Sequence, residues 1–180
     1  MSAELKFHFD FACPYSFFAW KSIFRYLFKK QFEVCFLVNG DNPFRGLEFS
    51  EKIWNKNIEA VKKRGIQIKK PGFSVDSRFL ERILEKQEEV RKKDFLNLVF
   101  CGIFESGVNL SEPLKLLEYC SQNNFDLKIP IDELEKLKSS TDQPVNKTSG
   151  NRMTPSLEFE NERIAGCFDL WAIENLLEKI

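Results

Sequence analysis

The chain has 180 residues, 43% of them hydrophobic and 30% charged, with 27 basic and 27 acidic side chains in formal balance. That length builds one good-sized core, or a small domain carrying an insertion. Zero net charge excludes a global basic field for nucleic acid or an anionic membrane, and the local runs Lys62-Lys63-Arg64 and Lys69-Lys70 read as solvated surface.

Phenylalanine stands out at 19 copies against two methionines, which points to a core of rigid rings. Met1-Ser2-Ala3-Glu4-Leu5-Lys6 carries no apolar signal core, and no apolar run is long enough to span a bilayer. Glu178-Lys179-Ile180 carries no sorting tripeptide. The expectation is a cytoplasmic protein without nucleic-acid or membrane partners. The cysteines (Cys13, Cys35, Cys101, Cys120 and Cys167) are odd in number and scattered, with no C-x-x-C spacing. They predict neither a disulfide framework nor, beside a single histidine, a zinc site. A Cys-His or Ser-His hydrolase would need His8, which falls in a predicted strand and reads as structural.

In chain order, Leu5, Phe7, Phe9 and Phe11 alternate with Lys6, His8 and Asp10, a period-2 strand. Pro14 suits the first position of a helix, since its missing N–H would be unsatisfied there anyway. Cys13 is therefore placed at the N-cap. The helix runs to about Lys30, with Phe17, Trp20, Phe24, Leu27 and Phe28 at helical spacing. Residues 32–38 read as a second strand, joined by a crossover long enough for a parallel pair.

Beyond Asn39-Gly40-Asp41-Asn42-Pro43 the pattern turns helical. Trp54, Ile58 and Val61 define one helix, and Phe79, Ile83 and Val90 another. Residues 94–105 are apolar nearly all round and predict a buried helix. Ser111-Glu112-Pro113 opens a further helix with the serine as cap, and Pro130-Ile131-Asp132-Glu133 a shorter one. Segment 139–153 reads as a loop. Ser156-Leu157-Glu158-Phe159, a turn at Asn161-Glu162 and Arg163-Ile164-Ala165 predict a hairpin, and residues 169–179 a closing helix.

The layout is thus α/β: β-α-β, about a hundred helical residues, then β-β-α. The two β portions are too small to bury a sheet separately and should join. Residues 1–43 and 150–180 would form one discontinuous domain, with 44–149 as an all-helical insertion.

A strand entering a helix at Cys13-Pro14-Tyr15-Ser16, with Met153-Thr154-Pro155 before a late hairpin, resembles the thioredoxin superfamily, and the helical insertion resembles its DsbA-like branch. Phe9-Asp10-Phe11-Ala12-Cys13-Pro14-Tyr15-Ser16-Phe17 is similar to the opening of 2-hydroxychromene-2-carboxylate isomerases and kappa-class glutathione transferases. The resemblance implies a thioredoxin-like fold with an all-helical insertion and glutathione as co-substrate. It also implies a small thiol or thiol peptide, with a small aromatic electrophile, as partner, and admits a homodimer. In that branch the Cys13 position is commonly serine and hydrogen-bonds the glutathione sulfur. Thr154-Pro155 matches the family's cis-proline loop, where Thr154 would offer its backbone to an extended thiol. Where transferase-like members tend to carry an acid for glutathione's amine, this chain reads Gly166-Cys167-Phe168-Asp169-Leu170, so Asp169 would serve from one residue away or cap the last helix.

A free thiol is only a few per cent ionised at neutral pH, and a helix N-terminus stabilises the thiolate. An exposed Cys13 with a lowered pKa is therefore expected, with Asp10 acting against it as a nearby like charge. Cys35, Cys101, Cys120 and Cys167 are expected to be buried apolar residues. Ser16 stands where a dithiol enzyme has its resolving cysteine, so an external thiol would have to release a mixed disulfide. The expected functions are three. The first is a monothiol oxidoreductase using Cys13 and Ser16, with Pro14, Tyr15, Thr154, Pro155 and Asp169 lining the thiol site. The second is a glutathione-dependent isomerase or transferase, and the third a non-catalytic binding module.

Overall fold

Alternation along the first segment produces β1 (Glu4–Phe9), and Pro14 opens α1 (Pro14–Leu27), which crosses to β2 (Glu33–Val38). The computed structural model describes residues 4–27, 33–38, 59, 66–140, 155–159, 162–165, 172 and 175. The chain divides into two compact units, Met1–Pro43 with Pro144–Ile180, and Phe44–Gln143.

In the first unit β1 and β2 run parallel, and β1 pairs antiparallel with β3 (Ser156–Phe159), which pairs antiparallel with β4 (Glu162–Ala165). The strand order is β2-β1-β3-β4, so both β portions join in one sheet. Leu5, Phe7 and Phe9 are buried on one face. There the Phe7 ring stacks on Phe9 at 5.2 Å and on Trp20 of α1 at 5.9 Å, and Phe11 meets Phe9 edge-on at 5.1 Å. This aromatic ladder fixes α1 against the sheet and so sets the position of its first turn.

The polar side of β1 is not a solvent face. Lys6 is exposed, but His8 and Asp10 are buried. His8 has its partner across the sheet: Nε2 lies 3.4 Å from Glu158 Oε1, and Arg163 Nε lies 3.5 Å from the same oxygen. A strand residue can be polar and internal when its neighbour strand supplies a polar partner.

The second unit is helical: α2 (Ser77–Glu85), α3 (Glu89–Cys101), α4 (Pro113–Gln122) and α5 (Ile131–Ser139). The single helix expected through Phe79, Ile83 and Val90 is two. Lys86 caps α2 with its N–H on the Ile83 and Leu84 carbonyls, and Val90 falls in the first turn of α3, 73% exposed. The helix expected over 94–105 ends as α-helix at Cys101 and continues as one π-helical turn, Gly102–Ser106, closed by Gly107 at φ +72°. Asp94 on it is exposed, so the burial is one-sided. Gly102 is required by close approach, since a Cβ there would lie 2.5 Å from Leu110 Cδ1 and 2.9 Å from Tyr119 Cε1.

Ser111 does not cap α4 as expected. Glu112 holds the cap position without a side-chain bond, Pro113 is the first helical residue, and Ser111 Oγ accepts the Asp76 N–H at 2.7 Å. Asp76 is the true cap of this region. Its Oδ1 accepts the Phe79 N–H at 3.1 Å and its Oδ2 accepts Lys138 Nζ at 2.7 Å. Burial pushes the carboxyl up, but the Lys138 ammonium, the Phe79 N–H and Arg82 together outweigh it and hold Asp76 below the ordinary value. Asp76→Ala should therefore cost about 1–2 kcal/mol in urea unfolding, mostly as a lost cap. Asp76→Asn, which keeps a cap oxygen, should cost under about 1 kcal/mol. Because the folded pKa is lowered, the ionic part of this stability is present above the unfolded value near about 3.9 and disappears as pH falls through the folded value. The difference between wild type and Asp76→Asn should vanish accordingly in acid.

Several expectations fall outside the described residues: the helix through Trp54, Ile58 and Val61, the 141–153 part of the expected loop, Thr154, Cys167, Phe168 and Asp169. Of the closing helix only Ala172 and Asn175 are described, both helical. Among the described residues no helix is long and apolar enough to cross a membrane.

Candidate functional site

The chain leaves β1 at Phe9 and must turn before Pro14. Asp10 makes that turn: its Oδ1 accepts the Ala12 N–H at 2.7 Å, and its carbonyl accepts the Cys13 N–H at 3.1 Å. Side-chain capping of this kind is what aspartate offers at such turns. Cys13 then sits directly before the helix, and its carbonyl accepts the Ser16 and Phe17 N–H groups at 3.0 and 3.2 Å. Pro14, the first helical residue, is buried, while Tyr15 is half-buried with its ring 6.2 Å from Phe18.

Ser16, one turn into α1, is fully buried, and its Oγ accepts the Asp10 N–H at 3.2 Å. The Ser16 hydroxyl hydrogen-bonds the Cys13 sulfur and, with the nearby Ser16 and Tyr15 backbone N–H groups, favours charge on it. Cys13 itself is only 1% exposed. Burial is the largest influence on its thiol. The hydrogen bonds from Ser16 and Tyr15 pull the pKa down and the Asp10 charge pushes it up, and the outcome is a thiol raised to about 12. The exposed, acidic sulfur expected at a helix tip is therefore corrected: burial outweighs the helix terminus. The thiolate fraction at neutral pH is on the order of 10⁻⁵.

At neutral pH this arrangement makes Cys13 a donor. With the thiol raised to about 12, its S–H proton is retained and available to an acceptor. Ser16 accepts from Asp10 and hydrogen-bonds Cys13, and no second thiol stands in its place.

The β1–β3 register brings the proline end to the same edge. His8 pairs with Ser156 at the last rung, and one further step sets Pro155 opposite Phe9, where the Asp10–Cys13 turn departs. Pro155 is buried. Ser156, which the sequence did not single out, is fully buried and its Oγ has no hydrogen-bond partner among the described residues. A buried hydroxyl left so costs about 1–3 kcal/mol, which suits a site that takes a polar ligand. Only its place after Thr154-Pro155 could have flagged it. Thr154 and Asp169 are the site candidates that lie outside the described residues.

The remaining thiols differ from the expected buried set. Cys120 is buried, its thiol raised to about 12, chiefly by burial. Cys35 and Cys101 are half-buried, and Cys101 Sγ donates to Asn97 Oδ1 at 3.7 Å. No group of three or more His, Cys, Asp or Glu able to hold a metal occurs among the described residues.

No family model matches the chain, and no curated protein matches it in sequence. Solved structures match it over nearly its whole length, among them the following two. One is a 2-hydroxychromene-2-carboxylate isomerase, 16% identical, TM-score 0.66, covering 98% of this chain and 95% of that one. The other is a putative protein disulfide isomerase from Nitrosomonas europaea, 16% identical, TM-score 0.68, covering 99% and 97%. The likeness gives the fold, a DsbA-like thioredoxin fold.

Proposed function

We propose that this chain is a glutathione-linked enzyme of the isomerase or transferase kind, in which Cys13 stays protonated and orients a co-substrate thiol. The observation that supports it is the state of Cys13: buried, with its thiol raised to about 12. A sulfur so held is a poor nucleophile and a directed S–H donor. Glutathione, when bound, supplies the nucleophilic sulfur.

The residues of the chain divide the remaining work. The positive end of the α1 dipole favours negative charge beside Cys13. Pro155, which has no N–H, stands one step beyond the last β1–β3 rung at Ser156 and ends that ladder. Ser156 offers a buried hydroxyl with no hydrogen-bond partner among the described residues. Tyr15, half-buried beside the cap, lines the way in.

The test is a glutathione titration followed by amide resonances. Saturable shifts at Tyr15, Ser16 and Ser156 are expected. Binding that leaves all three unmoved, or no binding, would contradict the reading.

Thiol–disulfide exchange is the second reading, favoured by the presence of cysteine where the resembling isomerases commonly carry serine. In it the Cys13 thiolate attacks a disulfide, forms a mixed S–S bond and expels the other sulfur as a thiolate. An external thiol must then resolve it, since Ser16 cannot. A thiol raised to about 12 makes that first step slow.

A further inference from the structure

We propose that α5 is a releasable strap on the helical unit, closed on α2 by a polar clasp and able to detach and unfold while α2 and α3 stay formed. The helix has nine residues, and helices under about 12–15 residues are marginal on their own in water. It packs on α2 and α4, but its apolar anchorage is slight. Leu134 is its one fully buried residue, with Ile131 and Leu137 half-buried. By contrast α2 buries Phe79, Leu80, Ile83 and Leu84, and α3 buries five residues between Phe95 and Phe100. α5 is therefore a helix only while it is docked.

Among the described residues, its polar ties to α2 run in antiparallel order. Asp76 at the head of α2 meets Lys138 in the last turn of α5, Oδ2 to Nζ at 2.7 Å. Midway, Arg82 Nη1 donates to the Leu137 carbonyl at 2.8 Å. At the tail of α2, Lys86 Nζ lies 2.7 Å from Glu133 Oε1 in the first turn of α5. Each ion pair joins an acid at the positive end of one helix to a base at the negative end of the other, so both dipoles favour the closed clasp. The four ionic side chains are nonetheless 35% to 44% exposed. Salt reaches such pairs, and each is individually weak. A strap seated by one leucine and closed by screened ion pairs opens more easily than the core beneath it. Opening unseats Leu134 and lifts Lys138, whose Nζ stands 5.4 Å from the centre of the Phe79 ring. The released state thus presents apolar surface that the closed one hides.

Native-state hydrogen exchange of the full-length protein, followed amide by amide and corrected for intrinsic rates, tests this. The amides of Leu134 to Lys138 report on α5, and those of Phe95 to Phe100 on α3. In wild type the α5 amides should exchange on the order of a hundredfold faster than those of α3, with a weaker dependence on urea, the sign of a separate and smaller opening. Raising sodium chloride from about 0.05 M to about 1 M should speed α5 exchange about threefold or more. Lys138→Gln, which removes one end of the clasp, should do the same in low salt and leave less for salt to add. Should that variant fail to fold, Lys86→Gln, at the more exposed pair, takes its place. Exchange of α5 at the rate and urea slope of α3 would overturn the proposal, since α5 would then open only with the whole unit. So would α5 exchange that neither salt nor the substitution alters, because the clasp would not be what holds it.

Discussion

Trp20→Ala is expected to remove about 3–5 kcal/mol of unfolding free energy, the range for deleting a large aromatic ring from a packed core. Trp20 is fully buried, its ring 5.9 Å from Phe7 and 5.4 Å from Phe24. It is therefore the bolt between α1 and the β1 aromatic ladder. A loss of that size is a large share of the ~5–15 kcal/mol that holds a domain together. The first turn of α1 carries Cys13 and Ser16, so loosening the helix should also disorder the Asp10–Ser16 bond. Urea unfolding measures the first effect, and the Ser16 amide resonance reports the second. A loss below about 1 kcal/mol would mean that α1 is held by something other than this ladder.

Changing Cys13 should produce the largest functional contrast. Cys13→Ser keeps a neutral donor at the cap and should leave glutathione-dependent turnover of a small electrophile within about threefold of wild type. Cys13→Ala removes the donor and leaves the buried Ser16 hydroxyl without its acceptor. Losing a hydrogen bond to a charged sulfur costs about 1.5–3 kcal/mol, a rate loss of roughly 10- to 150-fold. Steady-state rates for the three proteins check this. If serine were as damaging as alanine, sulfur itself would be the reacting atom, and thiol–disulfide exchange would be the better account.

Much of the fold could be read from residue patterns because its signals are local. Leu5, Phe7 and Phe9 alternate as a buried strand face must, Pro14 opens α1, and the 156–165 hairpin follows its β-rich runs. What the sequence hid depends on neighbours distant in the chain. Nothing near His8 reveals that Glu158 meets it across the sheet. Nothing near Ser111 reveals that its hydroxyl serves the Asp76 N–H, 35 residues earlier. The break between α2 and α3 carries no glycine or proline, so the helical spacing of Phe79, Ile83 and Val90 ran straight through it.

The site was legible in identity and misread in environment. A cysteine before a proline signals a helix cap, and a cap favours a thiolate only while water or a cation shares the tip. Whether the tip is covered is a tertiary fact. Here Cys13 is 1% exposed, and desolvation decides. The Asp10–Ser16–Cys13 chain of hydrogen bonds was equally out of reach, since it needs the turn closed to within 3.2 Å.

The central claim is that the Cys13 thiol keeps its proton at neutral pH, and the alkylation rate at Cys13 tests it most directly. Followed by mass spectrometry of the peptide that contains it, so that the other cysteines do not interfere, the rate should climb about tenfold per pH unit with no plateau up to about pH 10. A plateau at or below pH ~8.5, the value of a free thiol, would show an activated cysteine and contradict the account.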